Sequence, residues 1–160
     1  MERDTYRLGV GLMIVNKHKK VLVGKRMNRP SSTTTPSQLW QLPQGGIDAG
    51  EDPESAVFRE MQEEIGTTNG RIVAASVGLL QYAFPNDIQQ EAFNGLYQGQ
   101  LQRWFLIEFL GNDSEINVQQ PLPEFDAWKW VDPNELVVLV VPFKRTLYQE
   151  ITAIFAWYFR

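Results

Sequence analysis

Glu60, Glu63 and Glu64 follow one another as E-x-x-E-E. On a helix, residues three and four apart share a face, so this spacing sets three carboxylates side by side. Their charges repel, and near the C-terminal end of a helix the macrodipole disfavours them as well. A divalent cation would reverse each of those terms. Mg²⁺ prefers octahedral oxygen ligands and works with carboxylates together with substrate phosphates. Gly45-Gly46, upstream, permits a turn that could bring a backbone carbonyl to the same ions, and Arg59 could orient a carboxylate. A solvated acidic face is the competing reading of E-x-x-E-E taken alone.

Composition narrows the chemistry. There is no cysteine and a single histidine, His18. Disulfides, thiolate sites, cysteine nucleophiles and histidine-rich zinc sites are thereby excluded. Any metal must be held by oxygen, which points to Mg²⁺, Mn²⁺ or Ca²⁺. The net charge of −4 argues against extended nucleic-acid binding, which needs a basic excess. A nucleic acid would be met locally, at an end. No apolar run reaches the roughly 18 residues a membrane span requires. Met1 to Arg7 is charged and lacks the apolar core of a secretion signal, so a cytoplasmic protein with no membrane partner is expected.

The elements that must position these groups can be read from periodicity and turn residues. Leu8 to Val15 and Lys20 to Gly24 are apolar runs separated by Asn16-Lys17-His18-Lys19, which predicts a hairpin. Asn28 to Gln38 is a polar Ser/Thr/Pro loop without a core-forming residue. Trp40 to Pro43 predicts a short strand ending at Gln44-Gly45-Gly46. Asp52 to Gly66 is the clearest helix: Asp52 suits an N-cap, Pro53 the first helical position and Gly66 the C-terminal stop. Ala56, Val57, Met61 and Ile65 supply its apolar face. Strands are expected at about Arg71 to Gln81, Gln102 to Leu110 and Ala127 to Val131, with a long polar connection from Pro85 to Gly99. Asp132 to Glu135 opens a short helix, and Phe143 to Phe159 reads as an amphipathic one. Trp104, Trp128 and Trp130 are expected in the core. Strands mixed with two or three helices, without a repeat or linker, predict an α/β sandwich forming a single domain over residues 1–160.

The stretch from Gly45 to Thr67 resembles the signature of the Nudix hydrolase family, G-x5-E-x7-R-E-U-x-E-E-x-G-U with U a bulky apolar residue. Gly45, Glu51, Arg59, Glu60, Met61, Glu63, Glu64 and Gly66 fit, and only Thr67 departs, at a packing position. Further segments are similar to the branch of RNA 5′-pyrophosphohydrolases and dinucleoside polyphosphate (diadenosine tetraphosphate) hydrolases. They are Tyr6-Arg7, Trp40 to Gly46, Gly99 to Phe105, Pro123 to Trp128 and Pro142 to Arg145. Two departures stand out. Leu8 replaces the proline expected after Tyr6-Arg7, and the loop from Asn28 to Leu39 is several residues longer than in that branch. That loop is read either as an element of substrate choice or as a flap.

The resemblance implies an α/β/α sandwich with a central mixed sheet. It implies that Glu60, Glu64 and a carbonyl of Gly45 hold Mg²⁺, with Mn²⁺ as a substitute and several ions per site. Glu63 and Glu124 would each be a further ligand or the water-activating base, and Arg59 would serve the same catalytic centre. Arg26 and Phe143 would flank a base, with Val141 and Lys144 nearby, and Tyr82 could line the cleft. Lys25, Arg26, Arg103 and Lys144 are candidates for holding phosphates. The expected activity is hydrolysis of a pyrophosphate bond in 5′-triphosphorylated RNA, dinucleoside polyphosphates or both, by a monomer. Another Nudix specificity, such as nucleoside triphosphate or ADP-ribose cleavage, is the first alternative. A catalytically silent domain that binds RNA or a nucleotide is the second.

Overall fold

The computed structural model describes residues 5–27, 34–89 and 92–160. Residues 28–33, most of the long loop singled out above, lie outside the described residues. Of the remainder of that loop, Thr34 is buried and Pro36–Gln38 forms one tight helical turn.

Eight strands form one mixed sheet. They are β1 (Tyr6–Val15), β2 (Val21–Arg26), β3 (Trp40–Gln41), β4 (Gln44–Gly46), β5 (Gly70–Ala75), β6 (Leu80–Ala83), β7 (Gly99–Phe109) and β8 (Phe125–Val131). β1 and β7 run parallel along their whole length, from Tyr6 opposite Gly99 to Val15 opposite Glu108. Their alternating side chains feed two cores, as period-2 patterning requires. Val10, Leu12, Ile14, Phe105 and Ile107 pack against helix α1 (Pro53–Ile65). Met13, Val15, Trp104 and Leu106 pack on the other face. That face is covered by α3 (Leu136–Leu139) and α4 (Arg145–Ile154), through Leu136, Leu147, Tyr148 and Ile151. The expected α/β/α sandwich around a mixed sheet is therefore present.

Several boundaries differ from expectation, each for a local reason. Gln44–Gly46 is a strand, paired antiparallel with Gly9 to Gly11. The single strand expected at 71–81 is two, both pairing with β7. Ser76 breaks it: its hydroxyl accepts from the Trp104 amide at 3.0 Å and donates to the Gly78 carbonyl at 2.7 Å, turning the chain out of the ladder. The Pro85–Gly99 connection contains α2 (Asn86–Gln89) and a tight turn at Ala92–Gly95, and buries Phe84 and Ile88. The helix expected from Phe143 begins with a tight turn at Pro142–Lys144, and a second such turn, Ala156–Phe159, follows α4. Trp104 is fully buried as expected, whereas Trp128 and Trp130 are only partly buried. Among the described residues no helix is long and apolar enough to cross a membrane.

Candidate active site

Helix α1 carries the acidic wall. Asp52 caps it by accepting from the Ser55 amide at 2.9 Å, and Gly66 ends it in the left-handed conformation at φ 76°. Burying Ala56, Val57, Met61 and Ile65 fixes the helix rotation, which turns Glu60 and Glu64 inward as buried residues. The Glu63 side chain, on the neighbouring stripe, remains 56% exposed. β4 passes so close that a Cβ at Gly45 would lie 1.9 Å from the Glu60 carboxyl carbon, so any larger residue there would displace the Glu60 side chain.

Arg59 organises this wall without lining the cavity. Its Nε and Nη2 donate to the two Glu51 oxygens at 2.8 and 2.9 Å, a bidentate pair. Nη2 also donates to the Gly46 carbonyl at 2.7 Å, and Nη1 to Glu60 at 2.8 Å and Glu63 at 3.1 Å. Glu51 is held down to about 2, chiefly by its bond from Arg59. Glu60 moves the other way, because burial outweighs the Arg59 bond. Glu64 is pushed well above its ordinary range by burial and then by the charges of Glu60 and Glu124, although it accepts from the Gln44 backbone. One Glu64 oxygen, Oε2, is buried without a hydrogen-bond partner.

The wall faces a cavity of about 430 Å³. Across it stand Arg26, Gln41, Lys144, Tyr82 and Phe143. The Gln41 side-chain oxygen accepts from Arg26 Nη1 at 3.2 Å and from Lys144 Nζ at 3.3 Å. Lys144 is buried and brought down to about 7, first by desolvation and then by the Arg26 charge. The Tyr82 hydroxyl accepts from Gln44 at 3.1 Å and Gln100 at 2.8 Å. Burial raises that phenol to about 12, so near neutral pH it keeps a proton to donate. The Phe143 ring lies 6.1 Å from Tyr82 at 40°.

Not every expected contact is here. Arg103 is outside the cavity: its strand position sends it to the opposite face, where Nε donates to the Ser76 carbonyl at 3.2 Å. Val141 is buried in the α4-side core and does not line the cavity. Lys25 alternates with Arg26 on β2 and also stays outside. Glu124 lines the rim and is exposed. Conversely, Arg7, Gln41, Gln44, Gln100, Phe84 and Phe93 line the cavity without having been assigned from sequence. The signal for Gln100 was its alternation with Gln102 and Trp104. These three side chains hydrogen-bond in series along β7, from Trp104 Nε1 to Gln102 at 3.2 Å and from Gln102 to Gln100 at 3.4 Å.

The family model for the NUDIX domain matches residues 5–151. The chain belongs to the Nudix family. The RNA pyrophosphohydrolase of Rhodospirillum rubrum is 47% identical over 92% of this chain and 86% of its own length. That of Rickettsia canadensis is 47% identical over 91% and 87%. A solved Caenorhabditis elegans Ap4A hydrolase complex superposes with a TM-score of 0.63 at 21% identity, covering 94% of this chain and 98% of that one. Escherichia coli dihydroneopterin triphosphate pyrophosphohydrolase follows at 0.60 and 17%, over 91% and 96%. This Nudix chain is a pyrophosphohydrolase, and enzymes of the family use divalent metal ions.

The acidic wall fits such an ion. Its donors are all oxygen, Glu64 holds an unpartnered buried oxygen, and Gly45 leaves the space a side chain would fill. Among the described residues no three acidic or imidazole side chains already converge as a cage. Glu60 and Glu63 are instead drawn to Arg59, and Glu124 stands at the rim.

Proposed function

We propose that this enzyme hydrolyses the 5′-triphosphate of RNA, using Mg²⁺ with Mn²⁺ as a substitute and more than one ion per site. The carrying observation is the pairing of walls across one cavity. Glu60, Glu63 and Glu64 line it from α1, and Arg7, Arg26, Lys144 and Phe143 line it from β1, β2 and the turn before α4. The relatives at 47% identity, themselves RNA pyrophosphohydrolases, support the choice of RNA.

Glu60, Glu64 and the Gly45 carbonyl would hold the ions, with Glu63 as a further ligand. Bound there, divalent cations neutralise phosphoanhydride oxygens and acidify a water. Glu124 is the favoured base, because Glu63 is engaged by Arg59 whereas the Glu124 carboxylate is unpaired among the described residues. It takes the proton as water attacks phosphorus, and the bridging P–O bond breaks, the bridging oxygen staying with the other product and phosphate or pyrophosphate being released. Arg7, Arg26 and Lys144 hold the remaining phosphates. Tyr82 donates its phenolic proton to the same oxygens, and the first base stacks on Phe143 and Arg26. Arg59 is a positioning residue that sets Glu60 and Glu63.

The test compares turnover of a short 5′-triphosphorylated RNA with that of diadenosine tetraphosphate at equal Mg²⁺. A higher kcat/KM on RNA, with pyrophosphate or phosphate released, is the expected result. A higher value on the dinucleotide, with ATP and AMP released, would overturn the RNA assignment.

A further inference from the structure

The turn at Ala92–Gly95 carries the rarest backbone of the described chain. Phe93 (φ 52°), Asn94 (φ 57°) and Gly95 (φ 74°) are consecutively left-handed. Glycine takes that conformation freely and asparagine tolerates it, but for a bulky aromatic it is a genuine outlier. Such strain persists only where the surroundings over-determine it, and it clusters at functional sites.

The surroundings of Phe93 meet that condition. Its ring stacks on Phe84 at 6.1 Å and 30°, and meets Tyr97 edge-on at 5.9 Å. The Arg7 guanidinium lies over it, 4.4 Å from the centroid. Arg7 is bounded elsewhere by Gly46, where a Cβ would come within 2.3 Å of Nη2. Glycine on one side and an aromatic ring on another thus seat this side chain at the cavity wall. Among the described residues no ion pair engages Arg7, whose charge acts on Glu60 and Tyr82 at the same cavity.

We infer that Phe93 is a positioning residue for substrate capture. The left-handed turn presents its ring as a platform that holds the Arg7 guanidinium toward the polyphosphate. This rests on the reading of Arg7 as a phosphate-binding group. Phe93 touches no reacting atom. It acts by limiting the orientations an unpaired arginine would otherwise sample, so its effect falls on binding and leaves the chemical step alone. The Pro85–Gly99 connection, remote from the signature helix, thereby sets affinity.

The test is a double-mutant cycle on the full chain: wild type, Phe93→Ala, Arg7→Ala and the double variant, with Phe93→Tyr and Phe93→Leu alongside. It is read as KM and kcat on 5′-triphosphorylated RNA, and as Kd for β,γ-methylene ATP, which needs no turnover. Phe93→Ala and Phe93→Leu are expected to raise KM and Kd about five- to tenfold, the range a cation–π contact supplies, with kcat little changed. Phe93→Tyr keeps the ring face and stays near wild type. The double variant is no worse than Arg7→Ala alone, since Phe93 acts through Arg7. Additive losses, or wild-type binding in Phe93→Leu, would overturn the inference. A wild type that binds the analogue with a coupled cycle but hydrolyses no RNA would overturn the functional reading and leave this one standing.

Discussion

Glu60, Glu63 and Glu64 reach the cavity from adjacent turns of α1, whereas Arg7, Arg26, Tyr82 and Lys144 reach it from β1, β2, β6 and the turn before α4. The acidic wall is local in sequence, and its order is enforced by one arginine that contacts Glu51, Glu60, Glu63 and the Gly46 carbonyl. The opposite wall is assembled by the sheet and held by glutamine amides, with Gln41 shared by Arg26 and Lys144 and with Gln44 and Gln100 on Tyr82. The two walls therefore separate by role. On the reading proposed above, the first would hold metal and carry the chemistry, and the second would set affinity and substrate choice. Mutations on the two sides should fail differently.

The largest effect short of removing a carboxylate is expected at Gly45. Gly45→Ala drives a methyl into the Glu60 carboxyl group, so that carboxylate must shift. Metal affinity should fall on the order of 10- to 100-fold in a titration followed by activity, with the melting transition still cooperative. On the opposite wall, Phe143→Ala should raise KM about tenfold through lost base stacking, with kcat within a factor of a few. Equal losses in kcat and KM would erase the division between the walls.

Lys144 sharpens the comparison through pH. Its folded pKa is depressed to about 7, so it is a cation below that pH and neutral above. Affinity for a polyanionic substrate should be greatest below about 7 and weaken as pH rises through it, about five- to tenfold for one charge-assisted bond. Lys144→Arg, which stays charged, should flatten the KM profile across pH 6 to 9.

The smallest effect concerns stability. Burial raises the folded pKa of Glu64 above its ordinary 4.5, so the folded state binds more protons than the unfolded chain in that window. The metal-free protein should therefore lose stability as pH rises from about 4.5 through the folded value. Glu64→Gln should make metal-free protein more stable at neutral pH by about 1 kcal/mol, while abolishing the stabilisation that Mg²⁺ gives the wild type. Thermal melts with and without Mg²⁺ report both.

How much was legible in the sequence follows the same division. Asp52, Pro53 and Gly66 mark the ends of α1, and E-x-x-E-E spans five residues, so local rules located both helix and carboxylates. Arg7, Gln41, Gln44 and Gln100 were missed as lining residues. Each is an ordinary polar residue until the pairings of β1 with β7, β1 with β4 and β2 with β3 bring them together. Arg103 and Val141, expected at the site, do not line the cavity. Arg103 was a candidate for holding phosphates and Val141 was implied by the resemblance, but strand alternation turns Arg103 to the other face and the α4-side core takes up Val141. Phe93 gave no sequence signal, because its placement depends on a left-handed turn that propensities disfavour.

The central claim is that the α1 carboxylates hold the ions on which hydrolysis depends. The most direct measurement is release of phosphate or pyrophosphate from 5′-triphosphorylated RNA, across a Mg²⁺ titration, by wild type and Glu64→Gln. Saturable Mg²⁺ dependence is expected in the wild type, with a loss of about 10³-fold or more in a folded variant. Wild-type turnover in Glu64→Gln, or turnover in the wild type unaffected by chelation, would contradict it.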